Sequence, residues 1–98
     1  MSGTTLSSAG LDERRRRLLF RAWHRGMREM DLIFGRFADV ELPTLTDVEV
    51  DAFEALLEPQ DQEVFSWISG SEPIPAEFDT ALFRRIRDFH YSGQALPE

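Results

Sequence analysis

"WHRGMREMD", residues 23–31, places a glycine between two arginines inside what otherwise reads as helix. Upstream, Leu11, Leu18, Leu19, Ala22 and Trp23 fall on one side of a helix spanning about residues 11–24. Downstream, Met27, Met30, Ile33, Phe34 and Phe37 recur at steps of three and four, with their phase reset around Gly26. Two helices meeting at Gly26 fit this pattern, because glycine takes backbone angles closed to other residues and permits close approach. Glu29 then lies in the first turn of the second helix. There its carboxylate can reach back to unpaired N–H groups and meet the positive end of the helix dipole. Physics alone favours plain architecture at this corner: a break, an acidic first turn, and two solvated arginines, Arg25 and Arg28.

Further along, "LTDVEVDAFEALLEP" (45–59) opens with Thr46 as N-cap and Glu49 three residues on, a capping box flanked by Leu45 and Val50 as a hydrophobic staple. Val48, Ala52, Phe53, Leu56 and Leu57 are the expected buried face of this third helix, which Pro59 stops. A fourth helix carries Val64, Phe65, Trp67 and Ile68 and ends at Gly70, with Asp61 as the expected cap and support of its first turn. After "SEPIPAEFDT", a connection with two prolines, a last helix over about 76–90 buries Phe78, Leu82, Phe83, Ile86 and Phe89. Strand signals are poor, so the expected fold is all-α, a compact five-helix bundle. It occupies residues 11–90, between tails at 1–10 and 91–98.

The 98 residues, 42% hydrophobic and 30% charged, make one globular domain with a single core. Cysteine is absent, which removes disulfides, thiolate metal sites and thiol catalysis from this chain. No apolar run approaches a membrane span, and the start lacks the apolar region of a secretory signal. A serine-bearing start before "RRRR" resembles a mitochondrial presequence, but Asp12 and Glu13 interrupt it, and the expected compartment is the cytoplasm.

The net charge of −7 conceals an asymmetry. All eleven basic residues are arginine, and seven of them lie between Arg14 and Arg28. From Phe37 to Phe83 there is no basic side chain, while twelve carboxylates fall in that span. Arg14, Arg17, Arg21, Arg25 and Arg28 recur at helical spacing, a basic stripe suited to an acidic protein surface. Nucleic acid is a poorer partner, given the acidic remainder. The carboxylates of the third helix (Asp47, Glu49, Asp51, Glu54, Glu58) read as a solvated face.

Reactive constellations are missing from the sequence. His24 and His90 stand far apart with no metal-ligand spacing, no serine has a nucleophile-elbow context, and the glycines form neither a P-loop nor GxGxxG. We therefore expect no catalytic residue, no metal site and no cofactor site on this chain.

Arg25, Gly26 and Glu29 in "RGMRE" match the RGxxE motif of the SdhE-type FAD assembly factors, also called succinate dehydrogenase assembly factor 2. "REMDLIFGRF" and "LTDVEVDAFEALLEPQDQEVFSWISG" extend the match, so the chain resembles this family over about residues 14–90. RGxxE is too short to be specific alone; joined to "LLEPQDQEVFSW" at this distance, it is strong. The resemblance implies a five-helix bundle that binds the flavoprotein subunit of succinate dehydrogenase, and of related fumarate reductases, and promotes covalent attachment of FAD to a histidine there. It also implies a partner-binding patch at Arg25, Gly26 and Glu29, with Met27, Arg28 and Asp31 as motif neighbours. His24 departs from the family, which often carries a basic residue there; a contact at that point would be pH-sensitive or weaker. The expected state is a monomer that is not inserted in a membrane. The alternative from the residues alone is a small acidic, antitoxin-like or regulatory module whose 37–83 carboxylates neutralise a basic partner.

Overall fold

Asp12, in extended backbone, accepts a hydrogen bond from the Arg15 N–H at 2.8 Å and so starts the first helix, α1 (Glu13–Trp23). The structure, a computed structural model, describes residues 10–92. Among these, four more α-helices follow: α2 (Arg28–Glu41), α3 (Asp47–Leu56), α4 (Asp61–Ser69) and α5 (Ala81–Tyr91). Short 3-10 turns at Leu42–Thr44 and Ala76–Phe78 join α2 to α3 and lead into α5. The all-α, five-helix expectation holds, with no strand among the described residues. The tails expected at 1–10 and 91–98 lie outside the described residues, except for Gly10, Tyr91 and Ser92.

The first two helices make the most extensive pairing, and a glycine lets them do so. Gly35 of α2 lies beneath the indole of Trp23, and a Cβ there would fall 2.3–2.7 Å from the ring carbons. Trp23 keeps its polar end satisfied by donating Nε1–H to Asp39 at 3.3 Å. Around this contact Leu18, Leu19, Ala22, Met30, Ile33, Phe34 and Phe37 are buried, as their spacing predicts. Phe53 of α3 meets Phe34 and Phe37 edge-on, at ring-centroid distances of 5.5 and 5.8 Å. Phe89 of α5 meets Phe37 in the same way at 5.6 Å. These edge-to-face contacts join α2, α3 and α5 into one core. No polar or charged residue among those described is buried within it.

Helix boundaries follow the local chemistry. The Thr46–Glu49 capping box is formed in both directions, at 3.1 and 2.9 Å, and the flanking Leu45 and Val50 are both buried. Gly70 ends α4 in the left-handed region with φ +85°. Three expectations about the helices and their caps need correction. Val48 is 75% exposed and outside the core. Val50, Phe53, Leu56 and Leu57 share the inward arc of α3, and Val48 lies opposite it. The last helix starts at Ala81, not near residue 76: Pro75 is extended, Ala76–Phe78 forms a 3-10 turn, and Thr80 caps α5 by accepting from the Phe83 N–H at 3.1 Å. Phe78 consequently stacks on Trp67 of α4, 5.2 Å between centroids, from outside the helix. The third correction, at Asp61, belongs to the corner between α1 and α2.

Candidate partner-binding site

The link from α1 to α2 turns on Gly26, whose φ of +91° is the left-handed backbone that disfavours side chains. Nothing lies within 4 Å of where its Cβ would stand, so conformation, not crowding inside the chain, selects glycine here. Met27 follows in extended backbone as the N-cap of α2, without a side-chain capping bond. The expected return of Glu29 to the corner does not occur. Asp31 performs it instead, accepting from the Arg25 N–H at 2.6 Å while its own N–H donates to the Met27 carbonyl at 3.0 Å. The corner is thereby laced from its inner side, and Glu29 is left exposed.

Arg25 is not solvated. Its guanidinium runs beneath the turn, with Nε donating to Asp61 Oδ1 at 3.1 Å and Nη2 donating to the Leu57 carbonyl at 2.8 Å. The side chains of Arg25 and Asp61 are each 13% exposed. Leu57 is the C-cap of α3 and Asp61 the first residue of α4, so this arginine joins α1 to the ends of two further helices. Its cation also sits at the negative pole of α3. This is the correction at Asp61: Gln60 is the N-cap of α4 and bonds through no side chain, while Asp61 lies in the first turn as expected but gives its carboxylate to Arg25.

Between these parts lies an open depression of about 650 Å³, walled by Arg25, Gly26 and Met27 on one side and by residues 57–62 on the other. The six expected site residues all gather at this corner but divide by direction. Arg25 and Asp31 are turned into the structure, and Met27 is half-buried against the core. Gly26, Arg28 and Glu29 face solvent, and neither the Arg28 nor the Glu29 side chain has a partner among the described residues. Sequence reasoning missed the second wall, "LEPQDQ", because only folding brings it to the motif.

The basic stripe is also largely engaged. Arg14 grips Glu54 through two bonds, at 3.0 and 2.8 Å, and also pairs with Asp51. Those hydrogen bonds from Arg14 hold the Glu54 carboxyl below its ordinary value, and donating to Glu54 and Asp51 keeps the guanidinium more firmly protonated. Arg15 reaches the Leu45 carbonyl at 2.7 Å and Asp47 at 3.3 Å, and Arg21 reaches Glu58 at 3.1 Å. The carboxylate face of α3 is thus partly covered by α1, and the sequence asymmetry folds onto itself.

A family model described as "Flavinator of succinate dehydrogenase" (Sdh5) matches residues 16–90. The chain belongs to the Sdh5 family. The Sdh5-family match takes in part or all of each of the five helices and both walls of the depression. Among curated relatives, the chain is 39% identical over 85 residues to the "FAD assembly factor SdhE" of Acetobacter pasteurianus, covering 87% of this chain and 78% of that one. It is 31% identical over 77 residues to the mitochondrial "Succinate dehydrogenase assembly factor 2" of Dictyostelium discoideum, covering 79% of this chain and 55% of the relative. A like-named mitochondrial protein of Mycosarcoma maydis is 40% identical over 62 residues, 63% of this chain and 26% of its own. The chain therefore spans most of the bacterial relative and about half or less of these mitochondrial ones. No solved structure matches. No helix among the described residues is long and apolar enough to cross a membrane.

Proposed function

We propose that this Sdh5-family chain is an assembly factor that binds the flavoprotein subunit of succinate dehydrogenase at the α1–α2 corner and promotes covalent attachment of FAD to it. The observation that carries the reading is the division of labour at the motif. Asp31, Arg25 and Asp61 hold the turn from inside, while Gly26, Arg28 and Glu29 are presented outward beside an open depression. A surface fixed in this way loses little conformational entropy on docking. FAD supplies the electrophilic carbon and the client supplies the histidine. The helper contributes by holding the client where the two are aligned, which is assistance by positioning and electrostatics and not catalysis by a group of its own. It acts as a monomer, one copy to one client, and a related fumarate reductase flavoprotein is a second client of the same kind.

A neutralising module working through its 37–83 carboxylates is disfavoured by one observation: Asp51, Glu54, Glu58 and Asp61 are already held by Arg14, Arg21 and Arg25.

Co-expression with the flavoprotein subunit tests the proposal. Gly26→Arg puts a bulky cation at the rim, in open space but at a cost of about 1–2 kcal/mol for a side chain at φ +91°, which a folded bundle can absorb. The bundle should keep its circular dichroism while client binding and acid-stable flavin on the client are lost. Full flavin loading with this variant, or without the helper at all, would remove the corner from the process.

A further inference from the structure

The face of α1 turned away from the core carries a second concave patch. Glu13, Arg16, Arg17, Phe20 and Arg21 line a shallow depression of about 350 Å³. Phe20, 63% exposed, lies in it, and the His24 ring stacks on Phe20 at 3.9 Å between centroids and 20° between planes. His24 Nδ1 lies 2.7 Å from the Phe20 carbonyl, which sets the orientation of the imidazole. The two rings form one pre-oriented aromatic slab, an arrangement that the core does not require.

The rim is basic. Arg16 bonds the Leu11 carbonyl, and Arg17 pairs with Glu13 one turn back at 3.1 Å, where the side chains are 62% and 79% exposed. A surface pair of that kind contributes little and exchanges readily. Each guanidinium has five N–H donors, so both retain donors for an incoming carboxylate. Arg14, Arg15, Arg21 and Arg25 are committed to carboxylates of other elements, which leaves Arg16 and Arg17 as the outward cations of α1. A cationic rim around an exposed ring, on a chain of net charge −7, complements an acidic surface that bears an apolar side chain. The patch is also continuous with the corner. Arg21 of this patch pairs with Glu58, a wall of the corner depression, at 3.1 Å, and His24 leads directly into Arg25.

We propose that the outward face of α1, centred on Phe20 and rimmed by Arg16 and Arg17, is a second contact for the same client, taking an acidic segment of the flavoprotein subunit that carries an exposed apolar side chain. The inference rests on the corner reading and widens its footprint by one helix face.

Affinity for the purified flavoprotein subunit, measured by titration calorimetry at low and high salt, tests it. Phe20→Ala should weaken binding about tenfold, as truncation of an interface aromatic does. Arg17→Glu should weaken binding at low salt and less at high salt. Val48→Ala, which trims an exposed apolar residue on α3, should bind as the parent does. Circular dichroism controls for folding. Parental affinity in both α1 variants, while Gly26→Arg loses binding, would overturn this contact and leave the corner standing. Failure of the parent itself to bind the flavoprotein would overturn both.

Discussion

A guanidinium that is 13% exposed must find acceptors, and Arg25 finds two on different elements, the Asp61 carboxylate and the Leu57 carbonyl. Asp61→Asn preserves shape and removes the charge, leaving a largely buried cation uncompensated. The expected loss is about 3 kcal/mol in urea denaturation. Arg25→Lys should not restore the parent, since an ammonium is a point charge and cannot serve two acceptors in a fixed fork. A loss near zero for Asp61→Asn would show that the pair is decorative. None of this was legible locally. The pairing spans 36 residues, and the PQD stretch after α3 reads on its own as a helix start, which is why Asp61 looked like a cap. Glu29 and Asp31 both fall in the first turn of α2, and spacing favoured Glu29. The turn at Gly26 decides otherwise, because it brings the Arg25 N–H to Asp31.

At the scale of elements, periodicity is a strong guide where a helix has one clear buried face. The presence and buried face of α1 and α2, the Thr46 capping box and the Gly70 stop were all readable for that reason. Where apolar residues occupy opposite sides, as Val48 and Val50 do on α3, a single helix does not say which side has the core. Proline caused the other error: an apolar Phe78 ahead of α5 looked helical, but the Pro73 and Pro75 backbone delays the helix to the Thr80 cap. The interhelix contact at Gly35 was also invisible, since a glycine inside a helix shows nothing until its neighbour is known. Gly35→Ala should push a Cβ into the buried Trp23 ring and cost about 1–3 kcal/mol, despite alanine's better helix propensity. Chemical denaturation measures this. A stabilised variant would mean that α1 and α2 can separate freely at this point.

For the whole molecule, acid is the condition that loosens the assembly. His90 of α5 is held below the ordinary histidine value of 6.5, first by burial and then by the Arg36 charge on α2. Its Nδ1 and the Arg36 Nη1 are buried without hydrogen-bond partners. Because the folded chain resists protonation there, this contribution is complete above the unfolded value and is lost as pH falls through the lower folded one. Glu54, lowered from 4.5 by Arg14, has the same sign further down the scale: its contribution is present above 4.5 and lost as pH falls below it. Thermal midpoints should therefore fall as pH drops below 6.5 and again as it drops below 4.5, and His90→Gln should flatten the first limb without altering the second. An unchanged limb would place the titration elsewhere. The stitching by arginine also bears on how the chain is made. Arg14 waits for Glu54, 40 residues later, and Arg25 for Asp61, 36 later. At about 5–20 residues per second of synthesis, Arg25 stays unmatched for roughly two to seven seconds. During that interval only Asp12 and Glu13, beside Arg15 and Arg17, offset the arginine run, and Arg14, Arg21 and Arg25 meet their acids only after α3 and the start of α4 have been made.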